Sequence, residues 1–247
     1  MSASTSTPSA MSSPSSPASA AGPTRVTTLR HGRAARLGIL LVLPLAPALV
    51  AVLRFILPYF DSTETGDIVR EVAAHQNAQN AVVWLGFLAS LTLPVAAVLA
   101  ARPFVAKAPR LTAAAELLLV PAYLCLPWLV AGDAIALRGV RTGTDPATIG
   151  TFLSGLHPVA DIGLAFFVAG HVVGTVLLGV AAIRTRAIPL WAGIALAVSQ
   201  PAHFVALVVI GSPTLDLIGW GLNAVAFGII AVTIVRTRRP GAGIGAA

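Results

Sequence analysis

Hydrophobic residues fall into six runs, and each run is about as long as a helix must be to cross roughly 30 Å of hydrocarbon. Polar and charged residues are concentrated in the segments between the runs. The predicted membrane spans are residues 37–59, 81–101, 111–131, 158–183, 190–211 and 215–235. A soluble protein could bury one such helix but would lack the polar surface to keep six in water. The pattern therefore predicts an all-α polytopic bundle of six transmembrane helices.

The amino-acid composition supports this prediction and indicates the kind of membrane in which the protein resides. Only 10% of the 247 residues are charged and 56% are hydrophobic, whereas about a quarter of the residues in a soluble domain are charged. The single cysteine, Cys125, excludes an intrachain disulfide and a cysteine-based zinc site. Arginine far outnumbers lysine and alanine is abundant, which is typical of GC-rich bacteria. We therefore expect a multi-pass protein of a bacterial plasma membrane, with the lipid bilayer as its surroundings.

The basic residues predict the orientation of the chain. With the N-terminus in the cytoplasm, the inner segments carry twelve basic residues and no acidic ones, namely Arg25, Arg30, Arg33, Arg36, Arg102, Lys107, Arg110, Arg184, Arg186, Arg236, Arg238 and Arg239. The outer loops carry only Arg70, Arg138 and Arg141. This positive-inside bias places both termini in the cytoplasm. It also accounts for the net charge of +7 without nucleic acid as a partner.

The two ends of the chain are predicted to be tails. Residues 1–35 are rich in Ser, Pro and Ala and end in a basic flank. Their first 24 residues have no apolar core, so we expect a disordered cytoplasmic tail rather than a signal peptide, followed by an uncleaved first span. The transmembrane domain is predicted over residues 36–236, and residues 237–247 form a second cytoplasmic tail.

Two outer loops are long enough to have structure of their own. Residues 61–80 are predicted to be partly helical, with Thr65 as the N-cap and Asp67 in the first turn. Residues 132–156 contain the turn sequence Thr-Gly-Thr-Asp-Pro and then a short helical pattern. These loops could be solvated connections, or a surface for a protein partner.

The fourth span carries the most informative polar residues. His157, Asp161 and His171 are separated by four and ten residues, which places them within about 40° of one direction on a helix. His171 also lies between Gly170 and Gly174, a small-residue pattern that lets another helix approach closely. We therefore predict a polar stripe that runs inward from the outer surface along one helix face.

Polar residues of the last two spans lie at similar depths. Counted from the outer side, His203 and Asn223 are about 12 Å deep and Gln200 about 16 Å, against about 20 Å for His171. These four residues could meet between the three C-terminal helices.

Three other ionisable groups have structural interpretations. Glu116 reaches the inner interface, Arg54 extends outward from the first span, and Asp216 suits the positive N-terminus of the sixth helix.

Three hypotheses for these residues stay open. The first is that buried His, Gln and Asn side chains only bond neighbouring helices together. The second is an outward-open cavity for a small ligand, ion or proton, with His157 and Asp161 at its mouth and His171, Gln200, His203 and Asn223 deeper. The third is cofactor binding, either haem with His171 and His203 as axial ligands or zinc held by His157, Asp161 and a deeper histidine.

Several segments resemble a widespread bacterial family of multi-pass membrane proteins, a domain of unknown function. The similarity is carried by residues 184–193 (RTRAIPLWAG), residues 66–80, the glycine-rich fourth span and residues 199–204 (SQPAHF). It extends over about residues 35–236. The resemblance implies a six-helix bundle in the plasma membrane and no particular activity.

The sequence lacks the common catalytic motifs, including His-Glu-x-x-His, a nucleophile elbow, a phosphate loop and a dinucleotide fingerprint. We therefore expect a non-enzymatic membrane protein without a cofactor that handles a small ligand, ion or proton from the outer side. The alternatives are a haem-binding redox subunit and a structural or regulatory partner protein.

Overall fold

The described part of the structure, a computed structural model, covers residues 32–62, 64–155 and 157–237, and its regular structure is entirely helical. Six helical segments are long and apolar enough to cross a membrane, which confirms the predicted fold class of an all-α bundle with six spans. The predicted tails fall almost wholly outside the described residues. The protein is therefore a multi-pass membrane protein by the length and composition of its helices.

Nine α-helices form within the described residues. They are α1 (Arg33–Phe55), α2 (Thr65–Ala74), α3 (Gln76–Ala101), α4 (Pro109–Leu124), α5 (Leu126–Arg141), α6 (Pro146–Ser154), α7 (Val159–Thr185), α8 (Leu190–Val205) and α9 (Pro213–Thr237). A π-helical turn, Ala206–Ile210, extends α8. The spans are α1, α3, α4 with α5, α7, α8 with its π-helical turn, and α9.

The third span is longer than predicted and is broken at Cys125. It runs from Pro109 to Arg141, 33 residues, or about 50 Å at 1.5 Å per residue. Pro127 has no N–H to donate to the carbonyl of Tyr123, so the regular helix is interrupted there. Because α5 continues ten residues past the predicted end of the span at residue 131, Asp133 is helical rather than part of a loop.

Two further boundaries differ from the prediction. Helix α1 ends at Phe55 rather than at Tyr59, since Pro58 removes a helical donor and disfavours helix in the residue before it. Helix α3 begins at Gln76, five residues earlier than predicted, because polar residues that suit water can continue a helix beyond the hydrocarbon.

The connecting helices α2 and α6 pack against each other at one end of the bundle. Thr65 is the first helical residue of α2 and not its N-cap, which is Glu64 without a side-chain cap. Asp67 lies in the first turn, as predicted. Asp145 caps α6 by accepting a hydrogen bond from the Thr148 backbone N–H at 3.0 Å.

The six spans form a closed ring in chain order. Each span packs against the next, and α9 packs against α1 to complete the circle. The segments that join the spans alternate between two ends of this ring. We call one the basic end, where Arg33, Arg102, Lys107, Arg184 and Arg236 lie, and the other the acidic end, where Asp61, Glu64, Asp145 and Asp161 lie.

Glycines allow the helices of the ring to approach closely. A Cβ atom at Gly174 would lie 2.7 Å from the Leu119 side chain, so the helix that the Gly170–Gly174 pattern accommodates is α4. A Cβ atom at Gly179 would lie 2.5 Å from the backbone nitrogen of Ala197 on α8. Backbone atoms cannot move aside as a side chain can, so Gly179 fixes the distance between α7 and α8.

Replacing Gly179 with alanine should therefore push α7 and α8 apart. We expect Gly179→Ala to lower the free energy of unfolding by about 1–3 kcal/mol, the usual cost of overpacking, measured by titration with sodium dodecyl sulphate in mixed micelles. Gly221→Ala is the matched control, because a Cβ atom at Gly221 would have no neighbour within 4 Å. An equal effect of both changes would contradict the close approach.

Candidate functional site

The first and last spans are joined by a buried ion pair. Nε of Arg54 on α1 donates to Oδ2 of Asp216 on α9 at 2.9 Å. The Asp216 side chain is fully buried and that of Arg54 is 19% exposed. The sequence interpretation of Arg54 did not include this partner, a carboxylate 162 positions away in the first turn of α9. Ring closure between α1 and α9 brings the two residues together.

His203 on α8 is the second partner of Asp216. Its Nδ1 bonds to Oδ1 of the same carboxylate, so the two oxygens of Asp216 have different partners. A carboxylate held by an arginine accepts hydrogen bonds, which places the proton of neutral His203 on Nδ1 and leaves Nε2 as the basic nitrogen. A Cβ atom at Gly219 would lie 3.0 Å from the His203 backbone nitrogen, so this glycine allows α8 and α9 to meet here.

His171 lies next to His203, one helix further round the ring. It is fully buried, about 18 Å from the acidic-end start of α7 at 1.5 Å per residue. Its Nδ1 lies 2.6 Å from the carbonyl oxygen of Phe167, one turn earlier. Because a carbonyl can only accept, Nδ1 carries a hydrogen, and neutral His171 presents an unprotonated Nε2. That atom is buried without a partner among the described residues.

Aromatic rings surround the two histidines. The His171 and His203 ring centroids are 5.6 Å apart, and the Trp220 ring lies 5.6 Å from the first and 5.4 Å from the second. The Phe167 ring covers another side of His171 at 4.6 Å. We call Arg54, Asp216, His203, His171 and Trp220 the histidine cluster.

Polar atoms without partners accumulate beside this cluster. Within the described residues, buried atoms without a hydrogen-bond partner occur on Gln200, Trp220 and Asn223 as well as on His171. In apolar surroundings such an atom costs several kcal/mol unless water or a ligand satisfies it (roughly 2–7 kcal/mol). Gln200 precedes His203 by three residues and Asn223 follows Trp220 by three, so each adjoins the cluster on its own helix.

A second group of polar residues lies nearer the acidic end. Oδ1 of Asp133 on α5 accepts hydrogen bonds from the Tyr59 hydroxyl and, at 2.8 Å, from Nε2 of Gln79 on α3. Burial and then the charge of Asp133 raise the pKa of Tyr59 far above its usual range, while the charge of Arg54 opposes the shift. The charge of Arg54 therefore acts on this group as well as on Asp216. We call Tyr59, Gln79 and Asp133 the tyrosine cluster.

Together the two clusters take one polar side chain from every span. Arg54 comes from α1, Gln79 from α3 and Asp133 from the third span, while His171, His203 and Asp216 come from α7, α8 and α9. Sequence reasoning did not single out Tyr59, Gln79 or Asp133. Asp133 was placed in a loop beyond the predicted end of its span, where burial would not be expected.

The predicted polar stripe on α7 is divided between two environments. His157 and Asp161 are exposed at the acidic end, and His157 accepts a hydrogen bond from the nearby Val159 backbone at 3.3 Å. His171, Gln200, His203 and Asn223 are all buried. A zinc site of His157, Asp161 and a deeper histidine does not assemble, and no group of three potential metal-binding side chains occurs in the described ranges.

The haem alternative has one feature in its favour and one against it. An axial histidine normally donates Nδ1–H to a carbonyl or carboxylate and binds the metal through Nε2, and both histidines have that arrangement. Bis-histidine ligation, however, needs a flat macrocycle between the two Nε2 atoms. The rings of Phe167 and Trp220 pack directly against His171 and fill space that a porphyrin would require.

None of the family models, curated proteins or solved structures compared with this chain gives a significant match. The resemblance to a bacterial membrane family therefore stays a prediction, and function has to be argued from the site itself.

Loss of one partner of the Arg54–Asp216 ion pair should destabilise the protein more than loss of both. We expect Asp216→Asn to lower the free energy of unfolding by about 3 kcal/mol, because it leaves the Arg54 charge without its partner. Adding Arg54→Leu should restore most of this loss, since no uncompensated charge then stays in the bundle. The measurement is a double-mutant cycle by denaturant titration in mixed micelles.

Asp67→Asn is the control for this cycle, because it breaks an ion pair with Arg70 whose side chains are 46% and 68% exposed. We expect that change to cost less than about 1 kcal/mol. Losses that simply add in the double variant would contradict a direct coupling of Arg54 and Asp216.

Proposed function

We propose that this membrane protein moves protons across the bilayer from the side of its acidic end, through a buried site at His171. The observation that carries the proposal is the continuous series Arg54, Asp216, His203 and His171. Arg54 stays protonated and holds the Asp216 carboxylate in place, while the two groups that can carry a proton are His203, whose side chain is 8% exposed, and His171, which is fully buried.

The order of the groups suits proton movement. His203 can accept a proton at Nε2 while its Nδ1 stays bonded to Asp216, so the charge it gains faces a carboxylate. His171 offers the next basic atom, since Phe167 holds its hydrogen on Nδ1. The ring centroids are 5.6 Å apart, so the two imidazoles are neighbours, and the proposed transfer runs from Nε2 of His203 to Nε2 of His171.

The unpartnered groups around His171 support a ligand or water-filled space at the end of this path. The side chains of Gln200 and Asn223 each offer both donors and acceptors, and all of these are buried without partners among the described residues. Ionisable and polar side chains inside a membrane bundle commonly mark ion and proton pathways. Simple bonding between helices would be expected to satisfy such amides rather than leave them unpaired.

The direction of uptake rests on the distribution of charge. Most basic residues lie at the opposite end of the spans from Asp216, and the positive-inside rule predicts that this basic end is in the cytoplasm. The site would then be supplied with protons from outside, which in a bacterium is the acidic side of the plasma membrane.

The proposal is tested by proton flux into vesicles. Purified protein is reconstituted into liposomes that contain a pH-sensitive dye. Valinomycin and potassium are present to remove the membrane potential, and the outer solution is then acidified to impose a pH gradient. We expect the wild type to acidify the interior at least about tenfold faster than protein-free liposomes. His203→Asn should abolish this increase, because asparagine can still bond to Asp216 but cannot take up a proton.

His75→Gln is the matched control, since it removes an exposed histidine on the short connection between α2 and α3. It should leave the flux unchanged. A wild-type flux equal to that of protein-free liposomes, or an unchanged flux in folded His203→Asn, would contradict the proposal.

A further inference from the structure

A separate cavity opens at the acidic end, between α2, α5, α6 and the start of α7. Its volume is about 230 Å³, below the roughly 300–1,000 Å³ of pockets for drug-sized ligands. Its polar and aromatic lining comes chiefly from Tyr59, Trp128, Asp133 and Asp161, and the remainder is mostly aliphatic, for example Ile68 and Leu164.

The charge of the lining is one-sided. Asp133 and Asp161 contribute two carboxyl groups, and no Lys, Arg or His occurs among the described residues that line the cavity. Arg54 is bonded to Asp216 and is not part of the lining. A cavity of this kind favours a cation over an anion.

The hydrogen-bonding state of Asp133 indicates what kind of cation. Both hydrogen bonds that Asp133 accepts within the described ranges go to Oδ1, so Oδ2 is left for a further donor. Gln79, which holds Asp133 in place, is fully buried and does not itself line the cavity. Oδ2 of Asp133 can accept a hydrogen bond from a ligand, and an ammonium group supplies up to three N–H donors.

The aromatic and aliphatic walls indicate the rest of the ligand. Trp128 and Tyr59 line the cavity, and aromatic rings of these types attract cations. Ile68 and Leu164 suit a short hydrocarbon chain. We propose that this cavity is a binding site for a small alkylammonium ion, a protonated primary amine, whose ammonium group bonds to Asp133 and Asp161. The assignment does not depend on proton movement through the histidine cluster.

The test is calorimetric titration of the full chain in lipid nanodiscs at pH 7 with n-butylammonium chloride, with empty nanodiscs as the blank. We expect saturable binding. Two further probes separate the features of the ligand: 1-butanol keeps the chain without the charge, and tetramethylammonium keeps the charge without N–H donors. Each should bind at least about tenfold more weakly.

Variants test the site itself. Asp161→Asn should weaken n-butylammonium binding at least about tenfold, and because Asp161 is exposed the variant is expected to fold. Asp61→Asn removes an exposed carboxylate at the same end that does not line the cavity, and should leave the affinity unchanged. Trp128→Leu should weaken binding through the loss of the aromatic face.

Several results would overturn the proposal. They are an absence of saturable n-butylammonium binding, equal binding of 1-butanol or tetramethylammonium, and an equal loss in Asp161→Asn and Asp61→Asn. The last result would mean that n-butylammonium responds to the overall charge of the acidic end rather than to a specific site. A failure here leaves the proton flux of His203→Asn as an independent test of the proposed function.

Discussion

A charged side chain inside a membrane bundle needs partners of its own, and in this protein Asp216 has two. Arg54 from the first span bonds to one carboxylate oxygen, and His203 from the fifth span bonds to the other. The carboxylate can stay buried because both oxygens are satisfied. These contacts require α8, α9 and α1 to be adjacent near the acidic end, so the ion pair and the closure of the ring depend on each other.

The remaining polar groups are arranged around this fixed point. His203 connects the carboxylate to His171, and Arg54 also influences Tyr59 at the edge of a cavity that contains Asp133 and Asp161. Small residues such as Gly179 and Gly219 bring the backbones close enough for short side chains to meet. The packing of the helices and the chemistry of the site therefore have the same structural origin.

Hydrophobic runs predicted the six spans because each span only has to satisfy the length and polarity of the bilayer. The buried positions of His171 and His203 followed from depth along their helices. The pairing of Arg54 with Asp216 could not be predicted. The two residues are 162 positions apart in the sequence, and their contact depends on which helices pack against each other. Asp133 was missed for a local reason: α5 continues past the apolar run, and only the structure shows that Tyr59 and Gln79 bond to its carboxylate.

The central claim is that His171 is held inside the bilayer with its hydrogen on Nδ1 and a free Nε2. Solid-state nitrogen-15 spectra of histidine-labelled protein in lipid measure this directly, with His171→Gln used to assign the signal. At neutral pH we expect a neutral His171 with a protonated Nδ1 and an Nε2 signal that shifts when protons are taken up. A His171 with its hydrogen on Nε2 at neutral pH would contradict the claim.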